Sequence, residues 1–279
     1  MIFALLAGIA GYVTGFQIEN TFAIKDFIWF IGGLYFLSSG SLALNQVQEY
    51  KLDQKMPRTA NRPIAAGKIK PAAGLILAAS FLFIGINMLH ELSSMAGYVA
   101  VATVLFYNGL YTMYLKPKWI FAAVPGAVPG ALPVTIGYAV NNPDIFNSES
   151  IYLFLIMFLW QMPHFWIIAI RYIEDYRLGA IPTLPVALGI PKTLFHIGLY
   201  TFTYCGVALA APFFLQASWI YLVFVFPFVI MLLTEFFRMY RSEGKKRWFA
   251  FFMWVNISML VFIFIPAVDK WNFLLYSRG

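Results

Sequence analysis

Phe27-Ile-Trp-Phe-Ile-Gly-Gly-Leu-Tyr-Phe-Leu-Ser-Ser-Gly-Ser-Leu-Ala-Leu44 runs straight into Asn45-Gln-Val-Gln-Glu49-Tyr-Lys-Leu-Asp53-Gln-Lys-Met-Pro-Arg58-Thr-Ala-Asn-Arg62-Pro63. The first half carries no charge. As a helix it rises about 27 Å, most of the roughly 30 Å hydrocarbon core of a bilayer. Its apolar residues are continuous rather than alternating, which reads as a membrane helix and not a barrel strand. The second half is polar and charged. Asn45, Glu49 and Asp53 recur every four residues, so on a helix they share one slowly drifting stripe.

The rest of the chain repeats the first half many times. Of its 279 residues 61% are apolar, 19% are aromatic and only 11% are charged, against roughly 25% charged in a soluble domain. This is the composition of an all-α polytopic membrane protein in one domain, residues 1–279. Apolar runs place spans near 1–16, 27–44, 71–89, 95–115, 119–140, 151–170, 193–215, 218–236 and 248–267, nine in all. The first is short, at about 24 Å. No basic residue precedes Lys25, so this stretch lacks the charged start of a signal peptide.

The net charge of +7 is distributed by topology. With the 45–70 segment on the cytoplasmic side, sixteen of the nineteen Lys and Arg residues share that side, and only Lys25, Lys270 and Arg278 face the other. That asymmetry fixes the orientation and removes the need for a nucleic-acid partner. Cys205 is the only cysteine, so the chain forms no internal disulfide and no cysteine-rich metal site.

Two cytoplasmic loops stand out, 45–70 and 171–192, lying about half the chain apart and combining acids with arginines. In the first, two carboxylates and a carboxamide oxygen on one stripe are hard oxygen ligands suited to Mg²⁺. Arg58 and Arg62 follow at once, and guanidinium groups grip phosphate oxygens bidentately. The same residues also read as a solvated juxtamembrane helix with Lys51 and Lys55 balancing the acids. In the second loop Asp175 is either an ordinary acid beside Arg171 and Arg177 or a partner facing the first stripe. The run Tyr107-Asn108-Gly-Leu-Tyr111-Thr-Met-Tyr114-Leu-Lys116 ends a span, either as an aromatic belt or as diphosphate contacts. His164, in Trp160-Gln-Met-Pro-His164-Phe, lies near the cytoplasmic end of its span, where a polar residue is either packing or functional. Pro125, Gly126, Pro129, Gly130 and Pro133 crowd one span, with Gly126 and Gly130 spaced for close helix approach.

Together these strings resemble the UbiA-type intramembrane prenyltransferases, over nearly the whole chain in order and spacing. The resemblance is carried by Asn45…Glu49…Asp53…Met56-Pro-Arg58-Thr59…Arg62-Pro63, by Tyr111-Thr…Leu-Lys116, by Trp160-Gln-Met-Pro-His164-Phe, and by Asp175-Tyr…Gly-Ala-Ile-Pro-Thr-Leu-Pro185. The first and third strings are similar to those of the haem-modifying branch. The resemblance implies nine transmembrane helices around a central cavity, capped on the cytoplasmic side by the two loops. It implies farnesyl diphosphate as donor, held through Mg²⁺ on Asn45, Glu49, Asp53 and Asp175. Arg58, Arg62, Lys116, Tyr111 and Arg171 would surround the diphosphate. It implies haem b as acceptor, with His164 and Trp160 beside it, and conversion of the haem vinyl group to a hydroxyethylfarnesyl group. The setting would be a bacterial cytoplasmic membrane, with hand-off to haem A synthase or terminal oxidase assembly.

Three features depart from the family pattern. Its middle acid is commonly Asp where this chain has Glu49. The wider superfamily often has a second Asp four residues after the one matched by Asp175, where this chain has Gly179. The family usually has a polar, Lys/Pro-containing segment before its first helix, and none precedes the first span here. The rival readings are a transferase acting on a quinone precursor, and a transporter or non-catalytic assembly protein. Against transport, the spans are almost free of the mid-membrane ionisable residues that ion pathways require.

Overall fold

The computed structural model describes residues 1–17, 21–215 and 219–276, which fold entirely as helices and turns. The connection expected at 216–217 and the external Arg278 lie outside the described residues. The helices are α1 (Ile2–Gly15), α2 (Ile24–Asp53), α3 (Pro71–Leu92), α4 (Ser94–Val104), α5 (Ala123–Asn141), α6 (Ser148–Arg171), α7 (Ile173–Leu178), α8 (Leu184–Leu209), α9 (Ala211–Phe214), α10 (Trp219–Arg241) and α11 (Trp248–Tyr276). A π-helical segment, Leu105–Leu115, continues α4 without a break.

Among the described residues seven helices are long and apolar enough to cross a membrane, so the chain is a multi-pass membrane protein. They are α2, α3, α4 with its π segment, α5, α6, α10 from Tyr221 and α11 up to Trp271. This amends the expected nine. The first expected span is a helix of only 14 residues, α1. The span expected at 193–215 divides into α8 and the four-residue α9. Early in α8, Gly189 takes φ 79° and Pro191 follows, so the helix is kinked there. Its later turns carry Lys192, Thr193, His196, Thr201 and Thr203, which dilute its hydropathy.

α1 is too short to depend on lipid for its position, and protein contacts fix it instead. It packs on α5 backbone to backbone. A Cβ added at Gly11 would strike the Val134 carbonyl, and one added at Gly137 would strike the Gly8 carbonyl. Small residues allow this approach, which recovers van der Waals contact that lipid cannot drive hydrophobically. At the C-terminal end of α1 the Tyr12 carbonyl still accepts from Phe16 N at 3.1 Å, and those beyond it lack an i+4 helical partner. Asn141 Nδ2 donates to Tyr12 O at 2.9 Å, Trp271 Nε1 to Val13 O at 3.2 Å, and Lys270 Nζ to Thr14 O at 2.8 Å. Lys270 also pairs with Glu149 at 2.8 Å.

α2 is the element that positions the site. Its 30 residues rise about 45 Å, well past the hydrocarbon core. The apolar run expected at 27–44 and the polar stripe that follows it are therefore one uninterrupted helix. Its last turns carry the stripe out to the membrane face.

Candidate active site at the C-terminal end of α2

Asn45, Glu49 and Asp53 are all buried, at 6%, 7% and 1% exposure. A parallel neighbour buries them. The α4–π helix runs alongside α2 in the same direction, and three rungs join the two with a constant offset of 67 residues. Asn108 Nδ2 donates to Ser41 O at 3.0 Å, Asn45 Nδ2 to Thr112 Oγ1 at 3.2 Å, and Lys116 Nζ to both Glu49 oxygens at 2.6 and 2.7 Å. Gln48 adds a brace to the Asn108 carbonyl at 2.9 Å. The partner side of the ladder is π-helical, and Lys116 N closes it on Tyr111 O at 2.9 Å, five residues back. π-helical turns inside longer helices commonly mark functional sites.

The 54–70 segment folds back over this end. Arg62 donates to both Asp53 oxygens at 3.0 Å, and the Thr59 hydroxyl donates to the Asp53 carbonyl at 3.1 Å. Gln54 Nε2 ties the loop to Ala65 O at 3.0 Å. The two loops do meet. The backbone N–H of Arg58 donates to Asp175 Oδ2 at 3.0 Å, across 117 residues of sequence. A small apolar cluster of Met56, Ala169, Tyr176 and Ile181 seals the junction. The Arg58 guanidinium lies over the rings of Tyr172 and Tyr176, at 5.3 and 6.0 Å from their centroids. Among the described residues it pairs with no carboxylate. Burial holds the Tyr176 phenol above its ordinary pKa, with Arg58 pulling it down and Glu49 pushing it up. It is a neutral hydroxyl at physiological pH.

A narrow cleft of about 20 Å³ lies between Tyr111, Lys116, Phe165, Tyr176 and Thr183. Tyr111 is stacked on Tyr107, with centroids 6.0 Å apart, and packs against Gly126 so closely that a Cβ there would overlap its ring. The small residues of α5 thus leave room for Tyr111 at the site. Glu174, by contrast, is exposed and pairs with Arg177 at 2.6 Å.

Among the described residues no three His, Cys, Asp or Glu side chains converge as a metal cage. Mg²⁺ rarely needs one, since it is commonly held by one or two carboxylates plus phosphate oxygens and water. The donor set fits that use. Glu49, Asp53 and Asp175 are hard oxygen donors, and each is now balanced by a cation or an N–H that phosphate oxygens could take over.

The remaining expected residues lie elsewhere. His164 Nδ1 is 2.8 Å from Asn256 Oδ1, and its ring sits among Trp160, Phe252 and Phe3, with centroids at 4.7, 5.1 and 6.0 Å. Trp160 Nε1 is buried with no hydrogen-bond partner. Arg171 ends α6 on the same membrane face, but its guanidinium lies 5.6 Å over Trp248 in a second cleft formed by α6, α8 and the α10–α11 loop. Asn108, Thr112 and Tyr176 complete the site without having been singled out in the sequence. The four-residue spacing of Asn108, Thr112 and Lys116 repeats that of the acidic stripe and was the signal available.

The model of the UbiA prenyltransferase family matches residues 2–257. A protoheme IX farnesyltransferase of Bdellovibrio bacteriovorus is 66% identical over 98% of this chain and 94% of its own. Another of that name, from Ehrlichia canis, is 32% identical over 96% and 90%. Among solved structures, a UbiA homologue from Aeropyrum pernix superposes with a TM-score of 0.74 at 16% identity, covering 93% of this chain and 96% of its own. One from Archaeoglobus fulgidus bound to DMAPP and Mg²⁺ gives 0.69 at 14% identity, covering 95% and 94%. These structural likenesses establish the fold.

Proposed function

The chain belongs to the UbiA prenyltransferase family, and from that premise we propose that it is a protoheme IX farnesyltransferase acting as a single membrane domain. It transfers the farnesyl group of farnesyl diphosphate to a vinyl group of haem b, giving haem O and diphosphate. The near full-length likeness to the Bdellovibrio protein carries the choice of acceptor. The α2 end, with its acids and cations interleaved, supports the choice of donor.

The allylic C1–O bond breaks and its electron pair leaves with the diphosphate. The π pair of the haem vinyl group forms the new C–C bond to C1. Water adds to the carbon left electron-deficient beside the porphyrin and loses one proton. A Mg²⁺ ion held by Glu49 and Asp53, with Asn45 and Asp175 completing the set, would supply positive charge at the diphosphate oxygens.

The chain's own groups do the rest. Arg58, with its guanidinium uncommitted, receives phosphate oxygens. Lys116 and Arg62 keep donors to spare beyond their carboxylates, and Tyr111 and Tyr176 present neutral phenols. These preorganised donors stabilise the charge that develops on the leaving group. The 54–70 cap and the Met56–Tyr176 seal exclude water that would capture the cation before the vinyl group does. His164 and Trp160 are assigned to the acceptor side. The site faces the cytoplasm of a bacterial inner membrane, with product passing to haem A synthase or oxidase assembly.

Membranes carrying the protein, given farnesyl diphosphate with equal amounts of haem b and an aromatic quinone precursor, test the acceptor. A product with the mass of haem O is expected, and a prenylated quinone precursor alone would reassign it.

A further inference from the structure

The second cleft, about 430 Å³, lies at the cytoplasmic face beside the donor site and has no part in the donor chemistry. Its walls are apolar: Ile167 and Ile170 of α6, Ile190 and Pro191 at the kink of α8, and the ring of Trp248 at the start of α11. Its rim carries two cations, Arg171 and Lys245, and one carboxylate, Glu243. The volume suits one flat organic ligand. Arg171 rests on Trp248, and among the described residues it has no carboxylate within ion-pair distance. Lys245 is shared with Glu243 at 3.3 Å, but both are about three-quarters exposed, so water screens that pair and it gives way readily.

Beneath the cleft, the packed contact between α6 and α11 continues inward along one seam. On α6, Ile167 and Arg171 follow His164 at three and seven residues, the spacing of a single helix face. On α11, Trp248, Phe252 and Asn256 recur every four residues. Arg171 meets Trp248 at the rim, and His164 meets Phe252 and Asn256 about 10 Å deeper by helix rise. α7 joins Arg171 directly to Asp175 of the donor site.

We propose that this cleft seats the propionate edge of the acceptor, with Arg171 and Lys245 gripping the two carboxylates and Trp248 and the isoleucines covering the ring. The proposal rests on haem b being the acceptor. An apolar macrocycle carrying two anions needs an apolar wall and a cationic rim in one place, and guanidinium is the group that binds carboxylate bidentately. Arg171 thereby becomes an acceptor-specificity residue and not a diphosphate ligand.

Steady-state kinetics of the full-length protein in nanodiscs of fixed lipid composition, with haem b and with its dimethyl ester, test this. Arg171→Gln is expected to raise KM for haem b about tenfold or more, the loss that follows removal of a charge-assisted contact. KM for farnesyl diphosphate should stay within about twofold, and KM for the dimethyl ester, which has no carboxylates to lose, should not change. Arg171→Lys should recover part of the haem b affinity, and Trp248→Leu should weaken haem b and its ester alike. A rise in KM for farnesyl diphosphate instead would return Arg171 to the donor site and overturn the proposal. Equal losses on haem b and its ester for Arg171→Gln would reduce Arg171 to a structural role. A wild-type defect of the same size on replacing phosphatidylglycerol by phosphatidylcholine would make the cleft a lipid site. If wild-type protein converts no haem b at all, the acceptor assignment fails and not merely this seat.

Discussion

Glu49 is one of the positions at which this chain departs from the family pattern, and the structure gives its longer arm a use. It reaches Lys116 with both oxygens, while Asp53, one turn on, is held by Arg62. Both of these acids are thus paired with cations assigned to the diphosphate. Binding metal and diphosphate together exchanges these partners, whereas binding either alone leaves a buried charge exposed to desolvation without compensation. Lys116→Met removes the competitor for Glu49 and leaves that carboxylate buried and unpaired. Calorimetric titration with Mg²⁺ in the absence of diphosphate should therefore show tighter metal binding than in the wild type, while inorganic diphosphate binds more weakly. Weaker Mg²⁺ binding in the variant would mean that Lys116 is structural. The spacing of the acids and the arginines after them was readable from sequence, because both follow from local helix geometry. That Lys116 pairs with Glu49 was not, because the pairing depends on which helix lies beside α2.

At the scale of the element, α2 and the α4–π helix act as one parallel ladder, and α1 and α5 as one backbone-packed pair. The sequence reading found each apolar run but closed the second at residue 44, where polarity rises. The helix continues to Asp53 because the polar residues there find partners: Asn45 in Thr112, Glu49 in Lys116 and Asp53 in Arg62. Hydropathy marks where lipid ends, not where a helix does. The same limit explains α1 and α8. α1 is held by glycine contacts and by the donors of Asn141, Lys270 and Trp271, none of which an apolar window detects. Gly137→Ala forces α5 off the Gly8 carbonyl and should cost about 1–3 kcal/mol, the usual penalty of overpacking. Gly206→Ala meets open space on α8 and should cost almost nothing. Thermal unfolding of the two purified variants compares them, and equal midpoints would contradict the backbone-to-backbone packing of α1 on α5.

At the scale of the molecule, the charge asymmetry predicts the orientation, and the length of α2 carries the proposed site past the apolar run. The basic loops gather on the face where α2 emerges, so the donor site, its cap and the second cleft share one aqueous side. The opposite face is fastened by Glu149, Lys270 and the end of α1. In a Cys205→Ser background, a cysteine replacing exposed Lys68 should react with a membrane-impermeant maleimide only from the cytoplasmic side. One replacing exposed Asp144 should react only from the other side. The reverse pattern would invert the site. The all-helical, multi-pass character was legible in composition and run length, while the count of nine spans was not reproduced among the described residues. The meeting of two loops 117 residues apart was only hinted at, since nothing local records that Arg58 and Asp175 touch.

The central claim is that this protein farnesylates haem b at the acidic end of α2. Purified wild-type protein and Asp53→Asn, each in lipid nanodiscs with haem b, farnesyl diphosphate and Mg²⁺, test it by mass spectrometry of the extracted porphyrin. The wild type should yield haem b enlarged by one farnesyl group and one hydroxyl group. Asp53→Asn, inserted and folded to the same extent, should yield none above background. No product from the wild type, or equal product from both proteins, would contradict the account.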